Sequence, residues 1–122
     1  MRGFIGALAA VGAFLALTAP ADAHAMLDRA TPAVGAVVHV APSEIRLEFS
    51  EGVEASLSRV TLTGAGGSPV QTGPAATPTR ARRLLIVPLK GSLAPGVYRV
   101  TWRVVSVDSH VTQGDFSFIV QP

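Results

Sequence analysis

The chain contains no cysteine. That excludes disulfides, zinc ribbons, iron–sulfur clusters, thiolate nucleophiles and a lipid anchor on cysteine. Methionine is almost as scarce: two residues in 122, one of them the initiator. Charged residues make up only 15% of the chain, which excludes a disordered polyelectrolyte and a coiled coil. Neither sign of charge dominates. Ten basic and eight acidic residues leave a net charge of +2, too little for a nucleic-acid footprint. There is no internal repeat and no P-loop, G-x-S-x-G or H-E-x-x-H motif. Helical periodicity is hard to find, and the length allows one domain at most.

What is present begins with a leader. Met1-Arg2 supplies a positive start, Gly3 to Thr18 an almost unbroken apolar run, and Ala21-Asp22-Ala23 a small-x-small end. This order is that of a secretory signal peptide. The run is at the lower limit for a bilayer span, and no Lys/Arg stop-transfer cluster follows it. Residues 1–23 are therefore expected to be cleaved, leaving an exported, soluble domain over residues 24–122. Removing 23 of 122 residues leaves 99, and the net charge stays +2 because Arg2 and Asp22 leave together. The new N-terminus is His24, which then carries a free α-amine as well as an imidazole.

Alternation of apolar and polar residues is easy to find in the remainder. Ile45, Leu47 and Phe49 alternate with Arg46 and Glu48. Val60 with Leu62, Leu85 with Val87 and Leu89, Tyr98 through Val104, and Phe116 through Val120 repeat the pattern. A short strand over Ala25 to Asp28 and a weak one near Val70 bring the expectation to about seven. Pro88 marks an edge or a strand end. Gly/Pro/Ser clusters at Thr31-Pro32, Ala41-Pro42, Gly64 to Pro69, Thr72 to Pro78 and Pro95-Gly96 separate the strands. The spacing predicts an all-β domain: one small Greek-key barrel or immunoglobulin-like sandwich. Trp102 and Tyr98 are expected in its core, and Arg46 and Glu48 on a wet face. Arg80, Arg82 and Arg83 suit a charged edge that discourages sheet pairing.

Chemistry has few places to sit. The three histidines are His24, His39 and His110. Asp108 and His110 are two apart after the long Tyr98 to Val107 strand, so on an extended chain both point to the same side. Such a pair suits one metal ion, and it equally suits a solvent-exposed salt pair. An N-terminal His24 adds two donors, since α-amine and ring Nδ1 close a six-membered chelate. An α-amine ordinarily titrates near 7.7–8.0 and an imidazole near 6.5, so both give up protons around neutral pH. Two nitrogens from His24, one from His110 and an oxygen from Asp108 would make a tetragonal N/O set, which favours Cu(II). Whether the N-terminus reaches Asp108 depends on the fold. His39 sits in AVVHVAP, away from these groups, and reads as a surface histidine.

Four stretches together carry a resemblance: the leader, HAMLDRATPAVGA, IRLEFSEGVE and GVYRVTWRVVSVDSHVTQGDFSFIV. In order and combination they resemble the CopC family of exported bacterial copper-binding proteins, across almost the whole of residues 24–122. The resemblance implies a Greek-key β-barrel that holds one Cu(II) per chain through His24, Asp108 and His110. It makes Glu51, the glutamate of the F-S-E triplet, a neighbouring or weak axial candidate. It further implies a periplasmic location, a monomer, a role in copper homeostasis or resistance, and an inner-membrane copper importer of the CopD type as partner. Some members hold Cu(I) in a methionine-rich loop. Here Gly64 to Thr79 has neither Met nor His, and only Met26 remains after cleavage, so a Cu(II)-only member is expected.

Two other classes compete. An N-terminal histidine with a second histidine is also the copper brace of polysaccharide monooxygenases. The domain is small for that role, offers few aromatics for a sugar-binding face, and a carboxylate from Asp108 would fill a position oxygen chemistry needs open. A metal-free interaction sandwich is the other, and failure to bind Cu(II) with a native N-terminus would favour it.

Overall fold

Apolar–polar alternation becomes eight strands in the computed structural model, which describes residues 25–122. His24 and the expected leader lie outside the described residues. The strands are β1 (Leu27–Thr31), β2 (Val37–Val38), β3 (Glu44–Phe49), β4 (Arg59–Thr63), β5 (Pro69–Val70), β6 (Leu84–Pro88), β7 (Gly96–Val105) and β8 (Val111–Val120). Two 3₁₀ turns, Ala55–Leu57 and Ala65–Gly67, interrupt the connections, and there is no α-helix among the described residues.

The strands form two sheets, ordered β1-β3-β6 and β2-β8-β7-β4-β5. All pairings are antiparallel except that of β2 with β8. The chain passes from one sheet to the other at every connection except those between β4 and β5 and between β7 and β8. The two inner faces therefore close on a shared core. Ile45, Leu47 and Phe49 of β3 and Leu85 and Val87 of β6 face Val100, Trp102, Val104, Phe116 and Phe118 of the larger sheet. Burying each such side chain is worth about 1.5–3 kcal/mol. The Phe49 and Trp102 rings meet edge-on at 5.3 Å, and Tyr98 stacks on Phe118 at 5.6 Å. The Tyr98 hydroxyl donates to the Ala94 carbonyl at 2.6 Å, so its polar end is satisfied.

This is the all-β architecture that the alternation predicts, with Trp102 and Tyr98 inside and Arg46 and Glu48 outside. Pro88 closes β6, which is an edge strand. Three details differ. There are eight strands rather than about seven, because β2 is only two residues long and too short to show a period. The first strand begins at Leu27 rather than Ala25. β8 starts at Val111, well before Phe116. Its first inward positions are Thr112 and Gly114, which leave no apolar signal. Gly114 stands opposite Trp102, and a Cβ there would come within 2.6 Å of the indole. The indole fills the space a side chain on β8 would otherwise take.

Candidate metal centre

β7 and β8 form a hairpin ten residues long on each side, in continuous register from Gly96–Val120 to Val105–Val111. Ser106 to His110 is the turn that joins them. The inward alternation of β7 runs Tyr98, Val100, Trp102, Val104, and the next position on that side is Ser106. Its hydroxyl is buried where an apolar side chain would continue the pattern, at 1% exposure. That hydroxyl donates to Asp108 Oδ1 and stands 3.3 Å from both the amide and the carbonyl of His110. The Ser106 amide donates to the His110 carbonyl at 2.9 Å, and the Ser109 amide to the Ser106 carbonyl at 2.9 Å. Ser109 takes φ of +72°, the left-handed conformation that reverses the chain. Anchorage continues outside the turn, where the Val107 amide donates to the Gly52 carbonyl at 2.9 Å.

Asp108 and His110 converge as their spacing predicts, but through a tight turn rather than an extended strand, since β7 ends at Val105. Asp108 Oδ2 lies 3.0 Å from His110 Nδ1, with both side chains partly exposed. The Ser106 hydroxyl, and after it the side chain and amide of His110, hold the Asp108 carboxyl below the usual carboxylate range. These contacts favour the ionised form of the carboxyl. Ser106 is the residue the sequence reading passed over. Its signal was there: a lone hydroxyl at a core-facing register position, two before Asp108.

The chain start is tied to the same hairpin. Ala25 is buried, and its carbonyl accepts from Thr112 Oγ1 at 2.8 Å, two residues beyond His110. The Met26 amide donates to Ser50 Oγ at 2.8 Å, and the Ser50 amide returns a bond to the Met26 carbonyl at 2.8 Å. The residue that follows His24 is therefore pinned beside the Asp108–His110 turn. Glu51, next after Ser50, is half-buried, and its Oε2 is buried with no hydrogen-bond partner among the described residues. An acceptor in that condition is costly unless a cation or donor approaches it.

Among the described residues, no group of three or more His, Asp or Glu side chains gathers as a complete metal site. Asp108 and His110 are two donors of the expected set, and the other, His24, lies outside the described residues. His39 stands at the far end of β8 from His110, with Nδ1 2.7 Å from the Gln121 carbonyl. It takes no part in the turn. Of the arginine cluster, Arg82 pairs with Glu54 at 3.1 Å just before edge strand β6.

Comparison with known proteins places the fold in a family. The family model described as the CopC domain matches residues 27–121. Protein YobA of Escherichia coli K12 is 46% identical over 99 residues, covering 81% of this chain and 80% of its own. Copper resistance protein C of Xanthomonas campestris pv. juglandis is 38% identical over 109 residues, 85% of each chain. The crystal structure of CopC from Methylosinus trichosporium OB3b superposes with a TM-score of 0.77 at 32% identity, over 81% of this chain and 95% of that one. With the family domain spanning nearly all the described residues and the same fold recurring in a solved member, the chain belongs to the CopC family.

Proposed function

We propose that this protein is an exported copper carrier that holds one Cu(II) between its N-terminal histidine and the Asp108–His110 turn. The observation that carries the reading is the Ala25–Thr112 hydrogen bond. It brings the chain start to the turn that already pairs a carboxylate with an imidazole. The donors also fit the ion. Two cis donors at about 2.0–2.1 Å from a tetragonal metal stand about 2.9 Å apart. The 3.0 Å between Asp108 Oδ2 and His110 Nδ1 is close to that spacing, and an ion binding both atoms would take the place of the proton between them. The His24 amine and imidazole would supply the remaining nitrogens. The orphaned Glu51 carboxylate gives a further negative charge for the cation. With Met26 the only thioether after cleavage, soft Cu(I) has no comparable cage.

The role that follows is binding and delivery or buffering of copper outside the cytoplasm, without a catalytic cycle. The protein acts as a monomer, in the periplasm of a Gram-negative host. An inner-membrane importer of the CopD type is the natural recipient. Asp108 in the ligand set argues against oxygen activation, and ascorbate-driven cleavage of polysaccharide by the copper-loaded protein would overturn the non-enzymatic reading.

The decisive experiment alters the N-terminus alone. Native protein starting at His24 is compared with protein that keeps Ala23. In the longer form the His24 nitrogen is an amide and the six-membered chelate is lost, though every side chain remains. Cu(II) affinity should fall by orders of magnitude, as it should in His110→Ala, with Asp108→Asn intermediate, Glu51→Gln mild and His39→Ala neutral. Equal Cu(II) affinity of the native and extended proteins would remove His24 from the site.

A further inference from the structure

The charges are divided unevenly between the two sheets. Strands β1, β3 and β6 carry three acidic and two basic side chains: Asp28, Glu44, Glu48, Arg29 and Arg46. Strands β2, β8, β7, β4 and β5 carry three arginines, Arg59, Arg99 and Arg103, and a single acid, Asp115. All four point outward from the larger sheet. Asp115 is already engaged, since its Oδ1 lies 3.1 Å from Arg99. That leaves Arg59 and Arg103, which stand directly opposite one another across β4 and β7. Neither makes an ion pair among the described residues.

Like charges directly opposed on a sheet are destabilising. Arginines are often placed on edges to block pairing, and Arg59 lies on the stretch of β4 that β5, bonded only at Leu62 and Thr63, leaves open; Arg103 stands on interior β7, where edge protection does not account for it. The pair borders a surface groove of about 550 Å³. Thr61, Thr101 and Gln113 line it beside the arginines, Trp102 contributes to its wall, and the one carboxylate among its lining residues, Asp115, is the one paired with Arg99. Two guanidinium forks flanked by hydroxyls and an amide form a recognition surface for carboxylates, because a fork meets a carboxylate with two parallel hydrogen bonds.

We propose that this outer face of the larger sheet is a docking site for an acidic segment of a partner protein, gripped by Arg59 and Arg103. A peptide with neighbouring carboxylates satisfies both forks, and its amides can reach Thr61, Thr101 and Gln113. Anionic membranes call for clusters of four or more basic residues, which this face does not have. The small net charge and the buried position of the tryptophan argue equally against nucleic acid. The groove lies on the Ser106–His110 side of the sheet, three residues along β7 from Ser106, or about 10 Å by strand rise. A partner held there sits within reach of the hairpin turn. The docking itself does not depend on copper, so it can stand or fall separately from the proposed metal site.

The test uses metal-free ¹⁵N-labelled protein starting at His24, titrated at low salt with a hexaglutamate peptide. Parallel arms use inorganic phosphate and phosphatidylglycerol vesicles. The expected result is saturable movement of the Thr61, Thr101 and Gln113 amides with the peptide, weakened as salt rises. Arg59→Gln/Arg103→Gln should bind at least about tenfold more weakly, as loss of charge-assisted hydrogen bonds requires. The same double variant should melt no lower than the native protein, because a repulsion has been removed. If it fails to fold, Arg59→Lys/Arg103→Lys keeps the charge but loses the forks, and should bind measurably more weakly than native. Peptide shifts centred on Arg80 to Arg83, affinity unaffected by these substitutions, or phosphate or vesicles moving the same amides as strongly as the peptide would each overturn the proposal.

Discussion

Ser106 shows how one hydroxyl can govern a site it does not itself form. It occupies a core position at 1% exposure, yet its hydrogen bonds go to Asp108 and His110. Ser106→Ala should leave cooperative unfolding intact while Cu(II) affinity drops about 10- to 100-fold, the usual effect of losing a partner that orients a ligand. A shift in the Cu(II) electron paramagnetic resonance spectrum should accompany the loss, which a purely structural role would not produce. The same hydroxyl fixes a pH dependence. The Asp108 carboxyl is held below the usual range in the folded protein. Its contribution to stability is therefore present above the unfolded value of about 3.9 and is lost as pH falls through the lower folded value. Copper held as proposed must leave earlier, because it would compete with protons for the His24 amine and the imidazoles. Release should occur as pH falls through roughly 6–5. A Cu(II) titration monitored by Trp102 fluorescence across that range checks this; retention of copper at pH 4 would contradict nitrogen ligation. At this scale the spacing of Asp108 and His110 was legible in the sequence. The mechanism of their convergence was not, because no period announces a turn set by Ser109 at positive φ.

Among the elements, the β7–β8 hairpin carries the most and was only half visible. β7 alternates cleanly, but the pattern read from Tyr98 to Val107 runs two residues past the strand's end at Val105. The first half of β8 hid behind Thr112 and Gly114, inward places with no apolar side chain, the second of them small because Trp102 lies against it. The fit can be tested directly. Gly114→Ala places a methyl 2.6 Å from the Trp102 ring and should destabilise the protein by about 1–3 kcal/mol, as overpacking does. Urea denaturation measures the change. A neutral result would mean that the indole has room to move. β2 escaped for a different reason: two residues in a parallel pairing draw their register from β8, not from any pattern of their own. β6 was legible because Pro88 can only end a strand or sit at an edge, and here it does both.

For the whole molecule, the hydrophobic pattern was enough to specify an all-β sandwich, since every long strand has one wet and one dry face. What the pattern could not convey is which loops meet. Ala25 and Met26 are held in place by one bond from Thr112 to Ala25 and a reciprocal pair between Met26 and Ser50, not by periodic burial. Because the proposed copper site joins these distant segments, the ion should stabilise the fold. At a hundredfold excess over the dissociation constant the gain is about 2.7 kcal/mol, visible as a raised melting temperature at pH 7 and absent at pH 4. The two ends of the barrel should then behave differently in time. At the end away from the proposed copper site, the seam is closed by two residues of β2, with the amides of Ile119 and Gln121 bonded to the carbonyls of Ala36 and Val38 at 2.8 and 2.9 Å. So short a strand is the natural place for local opening, and it bares the edge of ten-residue β8 each time it detaches. Ile119 and Gln121 amides should exchange with deuterium well before those in the middle of β7, with copper slowing the hairpin end and leaving this one unchanged. The first step toward any strand-swapped dimer of this protein would accordingly be release of β2, and a copper-saturated sample would be no safer from it than an empty one.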